Sequence, residues 1–195
     1  MPTTRDASAG DTAPAGDVVP TGDTALAGDA ALRDLLDRAA IREVLARYCR
    51  AADRCDEELL RSCYHPDALD RHGRFSGSAG DFATWVIQVQ RTSSITTQHA
   101  VSNVVIELAG ATAWVESAFM ATHVRPAAGE FEGPFLDTFW GRYVDRFEKR
   151  DGSWAIAARD VVHDWSERRA CGPRMPHSDT YRAGRRDRGD MSYQR

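Results

Sequence analysis

Apolar positions recur at steps of three and four from Leu32 onward: Leu32, Leu35, Leu36, Ile41, Val44, Leu45, Tyr48, Cys49 and Ala52. That period predicts an amphipathic helix with one apolar face, and Asp29 or Asp34 is a candidate cap for its start. Ile41, Leu45, Cys49 and Asp53 share one i+4 row, so an acid continues the buried face. Asp56 reads as the N-cap of a second short helix in DEELLRSCY, with acids in its first turn. HPDALDRHGRFSG (65–77) is turn-rich and predicts a short strand or hairpin, and AGDFATWVIQVQRTS (79–93) predicts a helix capped near Asp81. The period then changes to alternation, which predicts strands at 99–108, 111–124, 135–148 and 153–164. LAGAT and KRDGS are tight hairpin connections, the second carrying Asp-Gly, whereas RPAAGEFEGP is a longer loop. Helices followed by a meander of long antiparallel strands give an α+β class, a curved sheet wrapped over helices.

The flanks have a different texture. Gly-Asp recurs at 10–11, 16–17, 22–23 and 28–29, a period of six without a regular large apolar residue. Such copies cannot build the core of a β-helix, so residues 1–30 are expected to be a low-complexity flexible tail. Residues 31–166 form the expected α+β domain, and 167–195 an Arg-rich C-terminal tail. From Ser166 on there are eight Arg against four acids, and through Asp29 there are five Asp against one Arg. Both tails are expected to be solvated.

Composition narrows the function classes. The chain has 195 residues, 42% of them apolar, and a formal net charge of -4. One globular domain with a sizeable core follows, and neither nucleic acid nor a membrane surface is indicated as a partner. No apolar run approaches the ~20 residues of a spanning helix. The N-terminus MPTTRDASAGD has no apolar core, so it is not a secretory signal, and a cytoplasmic location is expected. Cys49, Cys55, Cys63 and Cys171 match neither zinc nor hairpin-disulfide spacing and read as reduced, small apolar side chains.

The blocks DRAAIREVLARYCRAADRCDEELLRSCYHPDA, TTQHAVSNVVIEL and GRYVDRFEKRDGSWAIAARDVVHDW, in that order over residues 32–165, resemble the SnoaL-like branch of the nuclear-transport-factor-2-like superfamily. Its enzymes include lindane dehydrochlorinase, scytalone dehydratase and bile-acid dehydratase. The resemblance implies a cone-shaped barrel of curved, mostly antiparallel sheet wrapped around N-terminal helices, with a central pocket. It also implies an Asp–His pair, which falls on Asp53 and His99, a functional residue at Tyr48, and an arginine at Arg159. Related lyases are trimers, so a homo-oligomer is expected, with a trimer favoured over a dimer. They use no metal and no cofactor, and none is expected here.

The candidate chemistry follows from these residue types. A carboxylate that accepts from one imidazole nitrogen fixes the tautomer and leaves the other as a base. Tyr48 on the apolar face offers a hydroxyl to a carbonyl or a departing group. Alternation along 153–164 would turn Arg159 toward solvent, opposite Ala158. His65, Asp67, Asp70 and His72 carry metal-ligand groups but lie in a turn-like stretch expected at the surface. Trp85, Phe119, Phe139 and His163 are candidate substrate-binding residues, and His123 or His163 is a candidate second histidine. The expected function is a cofactor-independent lyase, a dehydratase acting on a hydrophobic cyclic, polyketide-like or steroid-like small molecule. An isomerase or cyclase would use the same proton abstraction, and a non-catalytic binding or assembly module would keep the pair as a core contact.

Overall fold

The computed structural model describes residues 22–173, 175–176 and 178–194. The chain divides into two units, Met1–Arg33 and Asp34–Arg195. In the first unit the described residues, from Gly22, are helical, and those from Gly28 are exposed. The expectation of a flexible tail falls, for residues 1–21, outside the described residues.

Helix α1 (Gly22–Arg54) is longer than its apolar pattern predicts, so neither Asp29 nor Asp34 caps it. Leu32, Leu35 and Leu36 are exposed, and the buried face begins at Ile41. An amphipathic period specifies a face; what covers it is decided elsewhere in the fold. The helix ends where Cys55 enters the left-handed region (φ 51°). The amides of Cys55 and Asp56 then return to the carbonyls of Ala52 and Ala51, a Schellman closure. Asp56 in turn caps α2 (Glu57–Arg61) by accepting from the Leu59 amide at 3.1 Å. This back-to-back arrangement fixes Asp53 in the last turn of α1.

A hairpin of β1 (Tyr64–His72) and β2 (Phe75–Ser78) follows, then α3 (Ala79–Ser93), whose cap is Ser78 accepting from the Asp81 amide. The remaining strands are β3 (Thr96–Ala109), β4 (Thr112–Arg125), β5 (Phe135–Arg150) and β6 (Ser153–Ala170). They form one six-stranded sheet in the order β2-β1-β6-β5-β4-β3. Only β1 and β6 pair in parallel; every other neighbour is antiparallel. The class is therefore the expected α+β. The sheet is open rather than a closed barrel, because the short β2 and the long β3 stand at its two edges.

The β5–β6 turn places Asp151 and Gly152 both at positive φ (51° and 80°), the geometry Asp-Gly favours. Asp37 of α1 accepts from Trp154 Nε1 at 2.8 Å and Lys149 Nζ at 2.7 Å, tying helix to hairpin. Strand β6 runs six residues beyond its predicted end at 164. Beyond it, the C-terminal segment departs from a solvated tail. Arg186 donates to the carbonyls of Gln90 and Ser94, Arg188 meets Asp56 and Glu58, and Tyr193 donates to Asp56 at 2.9 Å. Net positive charge in this stretch finds acids and carbonyls at the ends of α1, α2 and α3. Cys49, Cys55 and Cys63 are buried, Cys171 is exposed, and all four are free thiols.

Candidate functional site

Strand β3 begins beside the last turn of α1, and that junction makes the first half of the site. Asp53 Oδ1 lies 2.8 Å from His99 Nδ1, and Oδ2 accepts the His99 backbone amide at 3.0 Å. Thr97 Oγ1 donates to Oδ1 at 3.1 Å. One carboxylate thus holds the strand's backbone and the ring together. Asp53 accepts, so His99 carries its proton on Nδ1 and keeps Nε2 free. The pair is only about a tenth exposed.

His99 lines a cavity of about 350 Å³ with mainly apolar walls. Tyr48 and Ala52 reach it from α1, one helical turn apart, Trp85 and Val86 from α3, and Phe119 and Phe139 from the sheet. Phe119 stacks on Tyr143 with ring centroids 4.5 Å apart. It packs over Gly141, where a Cβ would come within 2.2 Å of the Val162 carbonyl and 2.8 Å of the Phe119 ring. Of the substrate-binding candidates, Trp85, Phe119 and Phe139 form wall, and His163 joins it as an exposed residue.

His123 also lines the cavity, edge-on to His99 with ring centroids 5.6 Å apart. Burial, with smaller contributions from its neighbours His99 and Arg125, lowers its pKa to about 3, so its ring is neutral. Its Nδ1 is buried without a partner. Tyr48 is fully buried, and burial raises its pKa far above the usual tyrosine value, against the opposing charge of Arg159.

Arg159 is where alternation misleads. It is fully buried rather than turned to solvent, in a two-point ion pair with Asp145, and its guanidinium lies 4.1 Å from the Tyr48 ring and 4.0 Å from the Tyr143 ring. The Asp145–Arg159 register across β5 and β6 puts the two on one face, after a register shift between Arg146 and Phe147. Arg159 does not line the cavity; Tyr48 and Tyr143, which it stacks against, do.

The HPDALDRH stretch is likewise not a surface turn. It is strand β1, and alternation within it separates the four residues. His65 bonds the Glu148 carbonyl at 2.9 Å and Asp67 pairs with Arg150, whereas Asp70 is fully buried and His72 lines the cavity. Among the described residues no set of three His, Cys, Asp or Glu side chains converges on a metal-sized site. The i, i+2 spacing of Ala68, Asp70 and His72 was the available signal for an inward Asp and His. Gln90, Ser93 and Arg125, also in the lining, have no comparable signal in the sequence.

The sequence model of the SnoaL-like domain matches residues 33–160. Solved structures share the fold at low identity. A hexachlorocyclohexane dehydrochlorinase, LinA type 2, superposes with a TM-score of 0.66 at 19% identity, covering 75% of this chain and 98% of its own. A protein named provisionally as a scytalone dehydratase, from Novosphingobium aromaticivorans, gives 0.61 at 21% identity, covering 69% and 88%. The Kfla4162 protein from Kribbella flavida gives 0.61 at 20% identity, covering 69% and 95%. No curated protein matches the sequence.

Proposed function

The chain belongs to the SnoaL-like domain family, and from that premise and the cavity we propose that it is a lyase, a dehydratase of a hydrophobic cyclic, polyketide-like or steroid-like small molecule. The observation that carries this reading is the 2.8 Å Asp53–His99 pair on the wall of an apolar cavity. His99 Nε2 takes a proton from carbon next to an activating carbonyl. Asp53 holds the tautomer and faces the imidazolium that forms. Help of this kind accelerates reactions by about 10²–10⁴-fold.

Tyr48 is assigned the carbonyl oxygen. With its pKa driven up by burial it gives up a proton poorly, but its hydroxyl still donates a hydrogen bond. Arg159 acts through Tyr48 and Tyr143 by holding their rings. His123 contributes an uncharged ring to the wall beside His99.

The experiment is a mass-spectrometric screen of hydroxylated cyclic ketones and steroid-like or polyketide-like alcohols for loss of water, with His99→Ala as control. Water loss by the wild type that vanishes in His99→Ala supports the reading. An unchanged mass with a shifted double bond would make the protein an isomerase using the same pair, and near wild-type turnover by His99→Ala would overturn the mechanism.

The assembly we propose is a homo-trimer formed by the outer face of the sheet. Ala100, Met120, Trp140 and Trp165 are cross-strand neighbours there, and Met120 and Trp165 are 42% and 64% exposed. Trp114, Val105 and Val144 extend this apolar surface. Sedimentation equilibrium at micromolar concentration is expected to give three copies, and fewer for Trp165→Glu; a monomeric wild type would overturn it.

A further inference from the structure

We propose that Asp70 and His72 form a second acid–base pair in the same cavity, with His72 giving up the proton that a departing hydroxyl needs. The proposal rests on the elimination reading above and adds the leaving group to it.

Asp70 Oδ1 and His72 Nδ1 face each other at 3.5 Å. Each is a buried polar atom without a hydrogen-bond partner, and the Asp70 side chain has no exposed surface. Unpartnered buried polar atoms are costly, and a hydrogen on His72 Nδ1 directed at Asp70 Oδ1 lets this pair close on itself. The other Asp70 oxygen accepts the Tyr64 hydroxyl at 2.5 Å, which fixes the carboxylate in place. The His72 ring is clamped as well, stacked on Phe82 of α3 at 4.8 Å and tilted against Tyr143 of β5 at 6.5 Å. Phe82 brings no charge. Behind Tyr143 the Arg159 guanidinium is already engaged by Asp145. Asp70 is thus the acid directed at His72, and Nε2 is the nitrogen left for a ligand in the cavity that His72 lines.

The division of labour follows from what the other groups cannot do. Hydroxide leaves carbon poorly unless it is protonated as it goes. Tyr48 holds its proton too tightly, and His123 carries none to give at neutral pH. His99 is committed to Asp53 as the base. Of the cavity's imidazoles, His72 is the other one backed by a carboxylate. The step then balances. The C–H electrons become the new C=C bond, the C–O electrons leave with oxygen, His99 gains a proton, and His72 loses one to give water. Solvent restores both rings. A halide needs no such proton, so His72 would set the chain toward alcohols rather than organohalides.

The test compares β-hydroxycyclohexanone with β-chlorocyclohexanone, together with ¹⁵N NMR of the His72 ring without ligand. The wild-type ring, once deprotonated, is expected as the Nδ1–H tautomer, and Asp70→Asn is expected to release it to the Nε2–H form. His72→Gln is expected to lower kcat about 100-fold on the alcohol, and at least tenfold less on the chloride; Asp70→Asn, the milder change, should show the same selectivity. Equal loss on both probes, loss on neither, or an Nε2–H ring in the wild type would overturn the pair. If neither probe turns over, the tautomer result decides. His99→Ala separates the two readings: loss there without the His72 selectivity leaves the elimination standing and removes only this proposal.

Discussion

Arg159 and Asp145 meet at two contacts of 2.7 Å, and neither side chain has exposed surface. Removing one partner strands a buried charge, which costs about 3–5 kcal/mol, whereas removing both costs far less. Asp145→Ala is therefore expected to lower the urea midpoint strongly, and Arg159→Met combined with Asp145→Leu to recover most of the loss. A double variant as unstable as the single would show that the ion pair itself holds the sheet.

The Asp53–His99 pair is expected to behave as a unit. His99→Ala should lower kcat with little change in KM, because the lost interaction belongs to the transition state. Asp53→Asn should be nearly as severe, since the amide no longer fixes the tautomer, and the double variant should be hardly worse than either. Steady-state kinetics on a substrate from the screen checks this, and additive losses would mean that the two act separately.

His123 gives a stability prediction with a definite sign. The folded ring is neutral down to about pH 3, whereas the unfolded ring binds a proton below its ordinary value of 6.5. The unfolded state thus holds more protons between those limits, and stability falls as pH drops through that window, by at most about 1.4 kcal/mol per pH unit from this residue. His123→Phe should flatten the slope in urea titrations run between those limits. An unchanged slope would assign the acid sensitivity to other groups.

The docked C-terminal segment makes a fourth. Arg186 bonds two carbonyls and the Gln90 side chain, and Tyr193 donates to Asp56 while Arg50 stacks over its ring at 4.5 Å. Arg186→Ala and Tyr193→Ala should each raise amide exchange across residues 182–194 while leaving the core strands protected. Exchange that is already unprotected in the wild type would refute the docking.

The fold was legible wherever one period dominated. Alternation and Asp-Gly located the long hairpins, and the i+4 row Ile41–Leu45–Cys49–Asp53 placed an acid on the buried face of α1. Element class and turn chemistry are local properties, set by side-chain period and allowed φ, so the sequence alone determines them. That Asp53 and His99 would meet was implied by family resemblance and not by any local signal, because residues 46 positions apart are joined only by how β3 is laid against α1. Tertiary structure alone decided three further matters. Leu32, Leu35 and Leu36 stay exposed because a helical face is buried only where something covers it. Arg159 turns inward because a register shift brings it against Asp145. Asp70 and His72 reach the cavity because β1 is a strand inside the sheet, flanked by β2 and β6, where alternation sends every second side chain to the core.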